Sequence, residues 1–198
     1  MDIIFKEYWR VIWHNKWYFL LVISALTSAT VLDYVAPIFY KAIADGFAQP
    51  FSAETLVTLR ENFVWIAVFY AGIWCSWRVL EVGIIPLEAG GIALLEKRCF
   101  EVLKKQRSDF FEDRFAGSLV KQANRFSRAF ETIMDWFLFQ FYANILAISI
   151  AFVLFFQQQP EFAYYFLVWV AMFITWSIGF SIWKLKFDQA VSMADSLV

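Results

Sequence analysis

An all-α membrane protein is the fold class that this sequence predicts, from its composition, its four long apolar stretches and its segregated basic residues. Hydrophobic residues make up 61% of the 198 residues, and charged residues only 18%. An ordinary soluble domain is about 45–50% apolar and about 25% charged. A soluble fold of this size could not bury so much apolar surface, because its surface is large relative to its volume. Lipid must therefore solvate much of the chain.

Four apolar stretches approach or exceed the roughly 20 residues that cross about 30 Å of hydrocarbon. They predict spans at about residues 17–40, 63–86, 136–157 and 162–185. The first is interrupted near its far end by Asp33 and Pro37. Only the short polar stretch from Gln157 to Glu161 separates the last two. That short turn predicts an antiparallel helical hairpin.

The basic residues predict the orientation of these spans. Nine of the 17 Lys and Arg residues lie between Lys97 and Arg128, whereas only Lys41 and Arg60 lie between the first two spans. Because cytoplasmic loops carry an excess of Lys and Arg, residues 87–131 and the amino terminus are expected in the cytoplasm. Residues 41–61 and 157–161 are then expected outside. The expected location is the bacterial inner (plasma) membrane.

Between the second and third spans, the sequence favours helices that extend far past the bilayer. Residues 87–107 have high helix propensity, and a helix from Asn62 to Arg107 would have about 46 residues and a length of roughly 70 Å. Pro86 is expected to kink this helix rather than end it. Asp109 begins a short new element with capping-box spacing to Glu112. Two cytoplasmic extensions joined by a short transverse helix are therefore predicted.

The two ends of the chain predict different structures. Residues 1–16 mix aliphatic, aromatic and charged side chains, as an interfacial amphipathic helix does. Residues 17–198 form the predicted transmembrane domain. The pattern is still helical at Val198, so we expect the polypeptide to be truncated at its carboxyl terminus.

Metal binding and disulfide formation are not expected. Cys75 and Cys99 lack metal-ligand spacing and are interpreted as unpaired thiols. His14, the one histidine, has no ligating neighbour in sequence. No metal site is predicted.

These features together resemble the transmembrane domain of an ABC exporter (the type-1 ABC transmembrane domain). That family begins with an interfacial elbow helix and has a Pro near the end of its first span, followed eight residues later by Asp; here these are Pro37 and Asp45. Its second and third spans extend into the cytoplasm and are linked through paired aromatics, an acidic residue and Gly-x-Leu. The matching linker residues are Phe110, Phe111, Glu112, Gly117 and Leu119. Gln122 and Phe126 depart from the family's frequent Arg and Asp.

The resemblance covers the whole chain as the first four of the family's six spans, and it implies a function. The chain would be the transmembrane subunit or domain of an exporter, forming the translocation pathway as a homo- or heterodimer. ATP and Mg are expected at an associated nucleotide-binding domain, because no phosphate-binding loop occurs in this sequence. No catalytic residue is predicted. The segment implied to couple the two domains comprises Phe110, Phe111, Glu112, Asp113, Arg114 and Phe115.

Two polar pairs within the spans are candidate pathway residues. Arg78 and Glu81 are three residues apart on one helix face, where they could serve a pathway or simply neutralise each other. Gln140 and Asn144, four apart, should face either the bundle interior or a substrate cavity. Packing is the plainer interpretation of both pairs. The sequence does not identify the exported substrate, and the expected partners are lipid and protein rather than nucleic acid.

An alternative class of protein fits the same pattern. A non-transporter four-helix membrane scaffold or assembly protein would use the basic cytoplasmic hairpin to bind a partner or anionic lipid. An intramembrane enzyme fits less well, since no paired acid, base or nucleophile stands out.

Overall fold

The computed structural model describes residues 2–48, 50, 52–106 and 116–195. Within these ranges the chain forms helices and no β-strand. In chain order the helices are α1 (Asp2–His14), α2 (Lys16–Phe47), α3 (Ala53–Lys104), α4 (Ala116–Asp135), a π-helical segment (Trp136–Tyr142), α5 (Ala143–Gln158) and α6 (Pro160–Asp195). The predicted all-α class is confirmed.

Four helical stretches are long and apolar enough to cross a bilayer: Lys16–Phe47, Ala53–Lys104, Gly117–Gln158 and Pro160–Leu185. They include the four apolar stretches that the sequence predicts as spans. Each continuous helix runs beyond the apolar stretch within it, because helix ends depend on capping and packing rather than on the edge of the lipid.

The longest helix, α3, has 52 residues and a length of about 78 Å. At its amino terminus the backbone N–H of Thr55 donates to the Ser52 hydroxyl oxygen over 3.1 Å, which satisfies one of the free donors of the first turn. Pro86 lies inside the helix, as predicted. The helix begins before Asn62, the residue at which the sequence pattern places its start. A helix of this length is more than twice the thickness of a hydrocarbon core.

The chain divides into two compact units, Met1–Ala147 and Ile148–Val198. In the first unit, α2 and α3 form the most extensive helix pair. Small residues let these helices approach, since an added Cβ at Gly83 would lie only 2.5 Å from Leu21 Cδ2. The hydroxyls of Ser76 and Ser28 also hydrogen-bond across this pair over 3.2 Å.

A second layer of the first unit packs α1 and α4 against the distal half of α3. Tyr8 stacks on Phe126 and meets Phe130 edge-on, with ring centroids 5.2 and 5.4 Å apart. The Tyr8 hydroxyl donates to the Phe126 backbone carbonyl over 2.8 Å. Leu95 and Phe130 are almost completely buried in the same core. The part of α3 beyond the predicted 63–86 span is therefore packed against other helices.

The second unit contains the later part of α5 and all of α6. Gln159 alone separates the two helices, and the Phe155 and Phe166 rings pack with centroids 5.3 Å apart. This confirms the predicted short connection. Most of the large apolar side chains described on α6 are exposed, including Phe173 and Trp176.

Candidate functional site

The implied coupling residues Phe110, Phe111, Glu112, Asp113, Arg114 and Phe115 lie outside the described residues. The structure describes their two flanks, the end of α3 and the start of α4. The segment therefore lies, in the chain, between the two helices that form the long helical extension. The role of the segment stays a prediction.

A wide groove with a volume of about 780 Å³ lies beside the end of α3 and the start of α4. Its walls come from α1, the end of α3 and the start of α4. Arg98 bridges two of these walls through an ion pair with Glu7, which also pairs with Arg10 over 2.9 Å. Burial raises the pKa of the Cys99 thiol in this groove, with smaller contributions from Glu96 and Glu7. The thiol is therefore protonated at neutral pH and is a poor nucleophile.

A carboxyl cluster lies where α3 meets the end of α4. The pKa of Glu88 is raised to about 7, mainly by burial and to a smaller extent by the neighbouring Asp135 and Glu131. A hydrogen bond between the side chains of Glu88 and Asp135 also requires a proton on one of them. The Glu88 Oε1 atom is buried without a hydrogen-bond partner among the described residues. Protonation of Glu88 therefore stabilises this contact.

Arg78 and Glu81 form an ion pair within α3, with their charged atoms 2.6 Å apart. Their side chains are 56% and 48% exposed to the surroundings of the chain. Arg78 also lies over the Trp74 ring, 5.8 Å from its centroid. These partners are all on one helix face, so the geometry favours local neutralisation over a pathway role.

The π-helical segment Trp136–Tyr142 provides contacts from the third apolar stretch to α2 and α3. Leu138 is completely buried, and Phe139 stacks on Trp77 at a centroid distance of 6.4 Å. The Tyr142 and Thr27 hydroxyls hydrogen-bond over 2.6 Å. Short π-helical insertions are frequent at functional sites.

A cavity of about 230 Å³ lies directly after this segment, between α2, α3 and the first residues of α5. The structure places Asn144 in the lining of this cavity. Within the described ranges, Gln140, Arg78 and Glu81 do not line it. The lining residues are Ala29, Thr30, Asp33, Tyr34, Ile73, Trp77, Ala143, Asn144 and Ala147.

Asp33 and Trp77 are the cavity residues that the sequence interpretation missed. Asp33 was identifiable as the one charged residue within the first apolar stretch, and such a residue is by default a functional candidate. Nothing in the sequence indicates that Trp77 lies beside it, because that contact depends on how α2 and α3 pack. No group of three or more His, Cys, Asp or Glu residues in the described part of the chain could hold a metal ion.

Comparisons with protein-family models, with curated proteins and with solved structures found no match to this chain. The case for a function therefore depends on the sequence and on this geometry.

Proposed function

We propose that this chain is the transmembrane subunit or domain of an ABC exporter, which forms the translocation pathway and couples it to ATP hydrolysis elsewhere. The observation that carries the proposal is the 52-residue helix α3. A helix that only spans a bilayer needs about 20 residues. The excess length is packed against α1 and α4, as Tyr8, Leu95 and Phe130 show. Such a rigid extension suits the transmission of movement to the membrane.

In this proposal the amino terminus and residues 87–131 are cytoplasmic, and the membrane is the bacterial inner membrane. The concentration of Lys and Arg between Lys97 and Arg128 supports that orientation. The nucleotide-binding domain, with its ATP and Mg, would contact the far end of the extension. A homo- or heterodimer of such chains would enclose the pathway.

The segment from Phe110 to Phe115 is proposed to dock on the nucleotide-binding domain. Aromatic side chains at the far end of a cytoplasmic extension would be stabilised by burial against another protein surface. They would relay the ATP cycle to α3 and α4, which lead directly into the spans. The pathway would then alternate between inward-facing and outward-facing states.

The test replaces Phe111 with Asp in the complete transporter complex. A charge placed in an apolar contact costs on the order of several kcal/mol. We expect F111D to reduce ATP-dependent transport at least about tenfold, while membrane insertion and thermal stability of the membrane part are unchanged. Transport into proteoliposomes and substrate-stimulated ATPase activity are measured together.

Val120→Asp is the matched control, since Val120 is 40% exposed on the same extension. V120D adds the same charge and should leave transport unchanged. Unchanged transport in F111D would contradict the coupling role. Failure of F111D to insert would mean that the segment packs within the membrane fold. A complex that never associates with an ATPase would favour the membrane scaffold instead.

A further inference from the structure

The cavity after the π-helical segment contains a carboxylate that no cation of the described residues neutralises. Asp33 lies 17 residues after Lys16, about 26 Å along α2, which is within a hydrocarbon core of about 30 Å but near its far edge. The ion pairs of the described chain are Arg10–Glu7, Arg78–Glu81 and Arg98–Glu7, none of which involves Asp33. An ionised group at membrane depth is costly unless it is paired or hydrated. A cationic ligand would remove that cost.

Two polar groups around Asp33 each keep an acceptor oxygen. The Thr30 hydroxyl donates its proton to the Leu26 carbonyl over 2.8 Å, which leaves its oxygen as an acceptor. The Asn144 amide donates one N–H to the Gln140 carbonyl, and its own carbonyl oxygen remains an acceptor. Together with the Asp33 carboxylate, these oxygens can accept hydrogen bonds from a ligand that brings donors and positive charge.

Two aromatic rings complete the lining. Tyr34 and Trp77 are 39% and 42% exposed, so part of each ring is accessible to a ligand. Trp77 is held in position by its stacking on Phe139, with an interplanar angle of 11°. Aromatic faces attract cations through their quadrupole, and Trp does so most strongly.

We propose that this cavity binds a small organic monocation through the Asp33 carboxylate and the Trp77 ring. Its volume of about 230 Å³ is below the about 300–1,000 Å³ of drug-sized pockets. The ligand is therefore an alkylammonium or a similarly small cationic head group. That this ligand is also the exported substrate depends on the proposed exporter function, whereas the binding itself does not.

Equilibrium binding of radiolabelled tetraethylammonium to the full chain in nanodiscs tests the site. We expect saturable binding that Asp33→Asn weakens about ten- to hundredfold, the value of a charge-assisted contact. Asp33→Glu keeps the charge and should retain most of the affinity. Trp77→Phe keeps the stacking on Phe139 and should weaken binding about threefold. Glu61→Gln removes a carboxylate that does not line the cavity and should have no effect.

Unlabelled benzylammonium should compete for the site, whereas its neutral analogue benzyl alcohol should not. Equal competition by both would overturn the role of charge, and complete displacement by sodium at matched concentration would overturn an organic ligand. Unaltered binding in a folded D33N variant would overturn the assignment of Asp33. If D33N does not fold, the D33E and W77F variants replace it in the test. A tetraethylammonium affinity equal to that of the wild type in both variants would contradict the proposal.

These results are separable from those of the exporter test. Tetraethylammonium binding without ATP-dependent transport would support the cation site and contradict the exporter function. ATP-dependent transport of a neutral substrate, with no tetraethylammonium binding, would support the exporter function and contradict the cation site.

Discussion

Helices α2 and α6 are equally apolar in mean hydropathy, yet their surroundings differ completely. In the most apolar stretch of α2, 28% of the residues are buried by other helices, whereas none are in that of α6. Val22, Ala25 and Leu26 of α2 belong to the main core, while Phe173 and Trp176 of α6 are exposed. Hydropathy therefore identifies both helices as candidate spans but does not show which one is packed against other helices.

Within the first unit α2 is enclosed by neighbouring helices, whereas α6 has few buried side chains within the second unit. In α2 the apolar side chains are enclosed by neighbouring helices, so the removal of one would leave a void. In α6 most of these side chains are exposed, so the removal of one would lose little burial. Substitutions of the same kind should therefore have different costs in the two regions.

The largest expected effect comes from truncating one phenylalanine in each unit. Phe130 is completely buried between α1, α3 and α4, and Phe173 is 59% exposed on α6. Phe130→Ala should reduce the free energy of unfolding by about 3–5 kcal/mol, through lost burial and a cavity. Phe173→Ala should cost less than about 1 kcal/mol. Denaturant titration in detergent micelles measures both, and equal costs would remove the distinction between the two units.

A smaller difference is expected from adding a methyl group to one glycine in each unit. A Cβ at Gly91 would lie 2.3 Å from Cε1 of the buried Phe130 ring, which cannot move away freely. Gly91→Ala should therefore destabilise the protein by about 1–3 kcal/mol. A Cβ at Gly179 meets no atom within 4 Å, so Gly179→Ala should be neutral or slightly stabilising. A fully tolerated G91A would show that α3 and α4 are not in close contact.

The smallest expected effect is a pH dependence confined to the first unit. Glu88 lies just beyond the predicted 63–86 span, and its pKa of about 7 is above the ordinary value of 4.5. The folded state therefore holds this proton more tightly than the unfolded state. The resulting stabilisation is complete below pH 4.5 and is lost as the pH rises through about 7.

Glu88→Gln should remove this pH dependence, and the melting temperature gives the measurement. Between pH 6 and pH 8 we expect the wild type to lose on the order of a few degrees and E88Q to change less. Glu161→Gln in the second unit is the matched control and should follow the wild type. Identical profiles for wild type and E88Q would show that Glu88 is not the responsible group.

Continuous apolar runs made the helices predictable, and high helix propensity on both sides of Pro86 made the continuity of α3 predictable. The π-helical segment was not predictable, because Trp136–Tyr142 is apolar on most sides and its sequence has no period that separates α from π geometry. The ion pair of Glu7 with Arg98 joins residues 91 positions apart, so it depends on tertiary packing. For the cavity, the sequence indicated Asn144 but not its proximity to Asp33 and Trp77.

The proposed function requires the packed helical extension to reach the cytoplasm, where an ATPase could engage it. Its most direct test is cysteine labelling of intact spheroplasts in a background with Cys75 and Cys99 replaced by Ser. Lys104→Cys lies at the end of α3, and Glu61→Cys lies near its beginning. A membrane-impermeant maleimide should label E61C at once and K104C only after permeabilisation. Labelling of K104C from outside would contradict the account, because the extension would then point away from any source of ATP.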